Sequence, residues 1–146
     1  MNRGFKHLFI IRLIAGLVFL FFGLLHFIRP ENFKNILQAS NLPLVEFNLV
    51  FVPLVETLIG LLLLLGVFTR LVSIIGCITM AIAFYATYTI IQMDPNLLPD
   101  GLTEKPFSPP LFIPVIVFIL CLYLLILGGG AWSIDRRNRR KSAESK

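Results

Sequence analysis

Four long apolar stretches, separated by short polar segments, dominate the pattern of this chain. A transmembrane helix needs about 20 consecutive, mostly apolar residues. The stretches cover residues 8–28, 47–67, 71–91 and 110–127. The pattern predicts an all-α membrane protein in which residues 1–135 form a bundle of four transmembrane helices. A basic cytoplasmic tail at 136–146 follows.

A shorter helix is predicted between the first and second spans. Pro30 suits the first position of a helix, and Glu31 falls in its first turn. Phe33, Ile36 and Leu37 then share one apolar face. We therefore expect a short amphipathic helix that lies in the membrane interface.

Two of the spans carry polar residues on a single helical face. In the first span this face consists of Arg12, Gly16, Phe19, Gly23 and His26. In the second span it consists of Pro53, Glu56, Gly60 and Leu63. Small residues let a neighbouring helix approach closely, and polar residues avoid lipid. Both faces are therefore expected to point into the bundle.

Composition and charge narrow the class of protein. Hydrophobic residues make up 57% of the chain and charged residues 14%, which leaves no room for a soluble catalytic domain. If both termini lie on one side, only Arg29, Lys34 and Lys105 of the 13 Lys and Arg residues lie on the other. The positive-inside rule then places both termini in the cytoplasm. The basic C-terminus indicates topology and contact with anionic lipid rather than with nucleic acid.

Metal and thiol chemistry find little support in the sequence. Cys77 and Cys121 both fall inside apolar spans, and the chain contains no CxxC motif. His7 and His26 are expected at opposite sides of the membrane, so they cannot share a metal. We expect neither a metal site nor a covalently held cofactor.

Glu56 is the best candidate for chemistry. It lies in the middle of an otherwise apolar span, where a charge costs about 2.5–3.5 kcal/mol on insertion scales. Three interpretations are open. Glu56 could bind or relay a proton, it could hydrogen-bond a quinol hydroxyl or another headgroup, or it could be a structural residue that holds the bundle together.

Arg12 and His26 are the candidate partners of Glu56. From the rise per residue, Arg12 lies roughly 10 Å from the depth of Glu56 toward the cytoplasm, and His26 is offset by a similar amount toward the outside. A long arginine side chain and helix tilt could shorten the first distance. Arg12 and His26 could contact Glu56 or bracket a cavity beside it, and in either case we expect all three residues in one interior cleft. His26 could instead exchange a proton at the outer surface or hydrogen-bond the first loop.

Further candidates lie near the ends of the spans. Arg70 is predicted in a tight turn with Thr69, where it serves topology and helix capping. Ser133 and Asp135 follow a run of three glycines and could cap a helix or pair with cytoplasmic arginines. Trp132 fits the membrane interface.

Three segments, in this order, resemble the DoxX family of small membrane proteins: RLIAGLVFLFFGLLHFIRPENF, ETLIGLLLLLGVFTRL and GGGAWSID. The resemblance implies a four-helix bundle in a prokaryotic cytoplasmic membrane. It points to Arg12, His26, Glu56, Gly60 and Arg70, together with Ser133 and Asp135. Members of the family include a small subunit of an archaeal thiosulfate:quinone oxidoreductase. Others take part in membrane oxidoreductase complexes of sulfur handling and oxidative-stress defence.

The resemblance favours a quinone-linked accessory or anchor subunit of a membrane oxidoreductase. Quinone would be the cofactor, and the candidate ligand-binding residues are Arg12, His26, Glu56 and Arg70. Membrane lipid and either a protein partner or a second copy of the chain are the expected partners. The alternatives are a noncatalytic scaffold or assembly protein, and a carrier of protons or small solutes.

Overall fold

The computed structural model describes residues 6–96, 98, 100–102, 104–130, 133–135 and 137, and this part of the chain folds into five α-helices without a strand. The helices are α1 (Lys6–Ile28), α2 (Pro30–Ala39), α3 (Val45–Leu65), α4 (Thr69–Gln92) and α5 (Phe112–Leu127). α1, α3 and α4 are long and apolar enough to cross a membrane, and α5 is a shorter apolar helix of 16 residues. The all-α prediction is confirmed. Trp132 and the predicted tail, except Arg137, lie outside the described residues.

α2 forms where the sequence predicts it. Pro30 occupies its first turn, and its apolar face is buried at Phe33, Ile36 and Leu37. Lys34 Nζ lies 2.9 Å from Glu46 Oε1 at the start of α3. This hydrogen bond raises the pKa of the Lys34 ammonium above its ordinary value.

Glycines bring α1 and α3 into close contact. A Cβ atom on Gly60 would lie 2.7 Å from Leu20 N and 2.8 Å from Gly16 O, and one on Gly23 would lie 2.6 Å from Thr57 Oγ1. No side chain fits at such distances, so the two backbones touch directly. The predicted polar faces of both helices are confirmed as buried faces, since their members are buried except for the half-buried His26.

A three-residue turn joins α3 to α4. Gly66 adopts the left-handed conformation (φ 68°), and the amides of Gly66 and Val67 donate to Leu63 O and Leu62 O, which is the Schellman end of a helix. Phe68, also left-handed (φ 49°), precedes α4. The prediction that Thr69 and Arg70 form the turn was wrong, because Gly66 ends α3 earlier and both residues already belong to α4.

The helices form two closely packed pairs. α1 packs most extensively against α3, and α4 against α5, whereas α3 and α4 share a smaller contact although they are joined directly. α5 is buried at Pro114, Val117, Cys121 and Leu124, and Gly128 ends the helix. We call these the α1–α3 pair and the α4–α5 pair. The glycine end of the fold holds Gly66 and Gly128–Gly130, and the α2 end is opposite.

The segment before α5 is fastened to α2. Asn32 Nδ2 donates to Phe107 O at 3.0 Å, and Phe107 N donates to Asn32 Oδ1 at 3.1 Å. One side chain thus pairs with both backbone groups of a single residue. This contact holds the described part of the long α4–α5 loop beside α2 at the α2 end.

Candidate functional site

Glu56 and His26 form a direct contact in the interior. His26 Nδ1 lies 2.9 Å from Glu56 Oε2. The Glu56 side chain is 5% exposed and that of His26 16%. When Glu56 is ionised its oxygen can only accept, so Nδ1–H donates to the carboxylate. Of the alternatives that the sequence left open, direct contact is found, rather than a gap between these residues or a hydrogen bond from His26 to the first loop.

The register of α1 against α3 explains this difference. Gly16 lies opposite Gly60 and Gly23 opposite Thr57, so the helices are antiparallel and His26 falls about one turn from Glu56. The sequence estimate aligned the ends of the two spans. In the structure the first turns of α3 extend past the end of α1, because the glycine contacts set the register.

Phe33 fixes the other side of the histidine. Its ring stacks on the His26 ring with centroids 4.1 Å apart and planes 16° apart. Phe33 is buried, and it comes from α2 rather than from a spanning helix. The histidine is therefore held between a carboxylate and an aromatic face, which limits its rotation. Sequence spacing indicated that Phe33 lies on an apolar face but could not show which residue that face meets.

A cavity of about 630 Å³ adjoins the pair. It lies between the α1–α3 pair and the α4–α5 pair, and all five helices contribute to its wall, with Phe22, Phe33, Ile59, Met80 and Ile113 among the lining residues. Its volume falls within the range of about 300–1,000 Å³ typical of small-molecule sites, which are mostly apolar with a few polar groups. The sequence predicted an interior cleft at Glu56 and His26, but not its position between the two helix pairs, because the volume left between helices depends on how they pair.

The cavity has few polar groups, and Glu56 is its only acid among the described residues. The other polar lining residues are His26, Asn48, Thr79, Thr87 and Ser108. His26 occupies Glu56 Oε2, and no described residue donates a hydrogen bond to Oε1. The carboxylate thus keeps one acceptor oxygen for a molecule in the cavity. An apolar chamber with one such acceptor suits a hydrophobic ligand that carries a hydroxyl or an equivalent donor.

Arg12 lies elsewhere, at the glycine end. The Arg12 side chain is buried, its Nη1 donates to Gly129 O at 2.6 Å, and its Cζ lies 5.6 Å from the Phe9 ring centroid. A Cβ atom on Gly66 would lie 2.5 Å from Arg12 Nη1, so the guanidinium occupies the space that this glycine leaves. Arg12 is not among the cavity-lining residues. The expectation of one cleft shared by Arg12, Glu56 and His26 was therefore wrong.

The other sequence candidates complete the helix ends near Arg12. Asp135 accepts hydrogen bonds from Phe68 N and Thr69 N, both 2.8 Å, and so caps the first turn of α4. Arg70 Nη2 donates to Ile126 O at 3.2 Å, in the last turn of α5. Ser133 is buried, and its Oγ donates to Gly130 O at 3.1 Å. The capping predictions for Arg70 and Asp135 are confirmed, and these residues lie apart from the cavity.

Metal and thiol chemistry have no visible site in the described residues. No group of three His, Cys, Asp or Glu side chains there could hold a metal ion. Cys77 and Cys121 are both free, and Cys121 is buried against Gly76. His7 lies 3.1 Å from Tyr123 Oη, far along α1 from His26. The cavity with Glu56 and His26 is therefore the candidate site.

Comparison with known proteins gives one match. The model of the DoxX family matches residues 7–89, which is more than half of the chain and includes Arg12, His26, Glu56 and Arg70. The segment containing Ser133 and Asp135 lies outside the matched range. No curated protein and no solved structure shows significant similarity to the chain.

Proposed function

The chain belongs to the DoxX family of membrane proteins, and from this we propose that it is a quinone-linked accessory or anchor subunit of a membrane oxidoreductase complex. Its ligand would be a quinol or quinone, held without a covalent bond in the 630 Å³ cavity. The observation that carries the proposal is the acceptor oxygen of buried Glu56 inside an apolar chamber. The complex would act in sulfur handling or in oxidative-stress defence, as the family resemblance implies.

Each part of the cavity has a role in this proposal. A quinol headgroup is a flat apolar ring with hydroxyl groups at its edge. The ring would pack against apolar walls that include Phe22 and Ile59, and one hydroxyl would donate to Glu56 Oε1. Hydrogen bonds to a charged group contribute about 1.5–3 kcal/mol. One such bond therefore discriminates a quinol from an unsubstituted hydrocarbon.

His26 would act as a positioning residue. It binds Oε2 while Phe33 restrains its ring, so the carboxylate is turned to present Oε1 to the cavity. A histidine that is part-exposed also offers a route for proton exchange between Glu56 and the α2 end. Both roles use the same hydrogen bond.

The membrane arrangement is part of the proposal. α5 would be the fourth span, since 16 residues rise about 24 Å and the apolar residues before Phe112 add to that length. The glycine end would face the cytoplasm of a prokaryotic cell, with both termini, and α2 would lie in the outer interface. The charge distribution supports this orientation. A protein partner or a second copy of the chain would cover part of the lipid-facing surface.

The central test is quinol binding to the Glu56→Gln variant. The amide keeps the shape of the side chain but removes the charge, so we expect affinity for a quinol to fall about 10- to 100-fold. Affinity would be measured by titration of the purified protein in nanodiscs. The matched control is Glu46→Gln, an exposed acid at the start of the same helix. Equal affinity for wild type and Glu56→Gln would contradict the proposal.

A scaffold without a ligand is the second candidate, because the Glu56–His26 contact joins α1 to α3. On that hypothesis, Glu56→Gln lowers the stability or the expression of the protein. Neither wild type nor the variant binds a quinol. The two candidates are therefore separated by measuring stability and binding on the same variant. Co-purification after mild detergent extraction would identify the protein partner in either case.

A further inference from the structure

The cavity reaches the outer surface between α3 and α4. These helices are neighbours in sequence, but α3 is drawn to α1 by glycine contacts and α4 packs against α5. Five of the cavity-lining residues on α3 and α4 are large, apolar and between 41% and 57% exposed. They are Phe51, Leu58, Ile75, Ile78 and Ile82. We call this rim the α3–α4 opening.

The α3–α4 opening faces hydrocarbon rather than water. The five rim residues are apolar and belong to the two long helices that can span the membrane, and the hydroxyl of Thr79, which lines the cavity beside them, donates to Ile75 O. At the α2 end, by contrast, α2 and the loop fastened by the Asn32–Phe107 hydrogen bonds lie over the cavity, which Phe33 and Ser108 help to line. A molecule dissolved in the bilayer can thus reach the interior sideways.

Glu56 lies inside this opening. It is 4% exposed, yet it lines the same cavity as Ile78, and its Oε1 has no donor among the described residues. The path therefore runs from a largely apolar rim to the only carboxylate among the described residues that line the cavity. This polarity matches a molecule with a long hydrocarbon chain and a hydrogen-bonding head.

We propose that the α3–α4 opening admits a prenylated quinol from the bilayer, with its head at Glu56 and its isoprenoid chain lying between α3 and α4. This rests on the proposed function and adds to it the entry route and the site of the chain. The ligand never crosses the aqueous phase, and the bound chain leaves the protein through the rim. Binding energy from the chain then adds to that of the headgroup.

Ile78→Trp tests the opening directly. Ile78 is 57% exposed on the rim, so a larger side chain can be accommodated without repacking the core and narrows the opening. In nanodiscs, we expect the affinity of this variant for the prenylated quinol to fall at least tenfold. Its affinity for the same headgroup without an isoprenoid chain should equal that of wild type. Ile74→Trp is the matched control, because Ile74 is on the same helix and exposed but does not line the cavity.

The outcomes separate this inference from the proposed function. Equal affinity of wild type for the prenylated and chainless quinols, or unchanged affinity for both in Ile78→Trp, would show that the opening does not bind the chain. In that case, weaker quinol binding by Glu56→Gln would still support the headgroup site. If no quinol binds, the proposed function fails, and lipid labelling then tests the opening by itself.

A carbene-forming acyl lipid should label Met80, which lines the cavity, and not Leu63, which is buried elsewhere in the core. Unlabelled Met80 would overturn the opening.

Discussion

Glu56 is tolerated in an apolar helix because its neighbours satisfy half of its carboxylate. The pattern of apolar and polar residues correctly identified Glu56 and the buried face on which it lies, because a polar residue in a transmembrane helix faces away from lipid. Its partner could not be found in that way. The distance between His26 and Glu56 depends on the register of two helices, which the glycine contacts set.

A double-mutant cycle would measure the His26–Glu56 contact. We expect His26→Leu and Glu56→Gln to be coupled by about 1–3 kcal/mol in the free energy of unfolding, because both partners are shielded from water. Unfolding in SDS mixed micelles supplies the four stabilities. Lys34→Met with Glu46→Gln is the comparison cycle, and its exposed partners should show no resolvable coupling. Additive effects at the buried pair would show that the contact does not hold in the membrane.

At the scale of helices, spacing and glycine content predicted much of the packing. The buried faces of α1 and α3 match the faces predicted from the sequence, since the same period of 3.6 residues governs both. The pairing of whole helices was beyond this reasoning. α3 and α4 are joined by a short turn, but α3 packs mainly against α1 and α4 against α5. The cavity lies between these two pairs.

Gly60→Ala tests the close approach of α1 and α3. The added Cβ would lie 2.7 Å from Leu20 N, so the helices must separate, and we expect a loss of about 1–3 kcal/mol in unfolding free energy. Ala81→Val also adds carbon to a spanning helix, but at an exposed position, and should leave stability unchanged. Because the same contact sets the register, Gly60→Ala should also weaken quinol binding. A variant as stable as wild type would show that the backbones do not touch.

Asp135→Ala tests the cap on α4. The substitution leaves the amides of Phe68 and Thr69 without their acceptor, and the loss of a helix N-cap costs about 0.5–2 kcal/mol. We expect lower stability in SDS titrations and faster hydrogen exchange in the first turn of α4. Quinol affinity should stay near that of wild type, since Asp135 does not line the cavity. Unchanged exchange at Thr69 would contradict the capping role.

For the whole molecule, the proposed orientation in the membrane rests on the distribution of Lys and Arg residues. Lys105 belongs to the loop at the α2 end, whereas Arg137 follows Asp135 at the glycine end. Lys105→Cys should react with a membrane-impermeant thiol reagent added outside cells, and Arg137→Cys should react only after the membrane is opened. Both would be made in a chain with Cys77 and Cys121 replaced by Ala. The reverse pattern would invert the proposed topology.

The cap from Asp135 also has a consequence for the order of biosynthesis. A chain is made from its N-terminus, so α4 is complete when residue 92 has been added, but its first turn receives its acceptor only after residue 135. Until then, the amides of Phe68 and Thr69 lack the acceptor that Asp135 provides. The residues after α5 therefore complete this cap last, and translation that stops before residue 135 leaves the first turn of α4 without its acceptor.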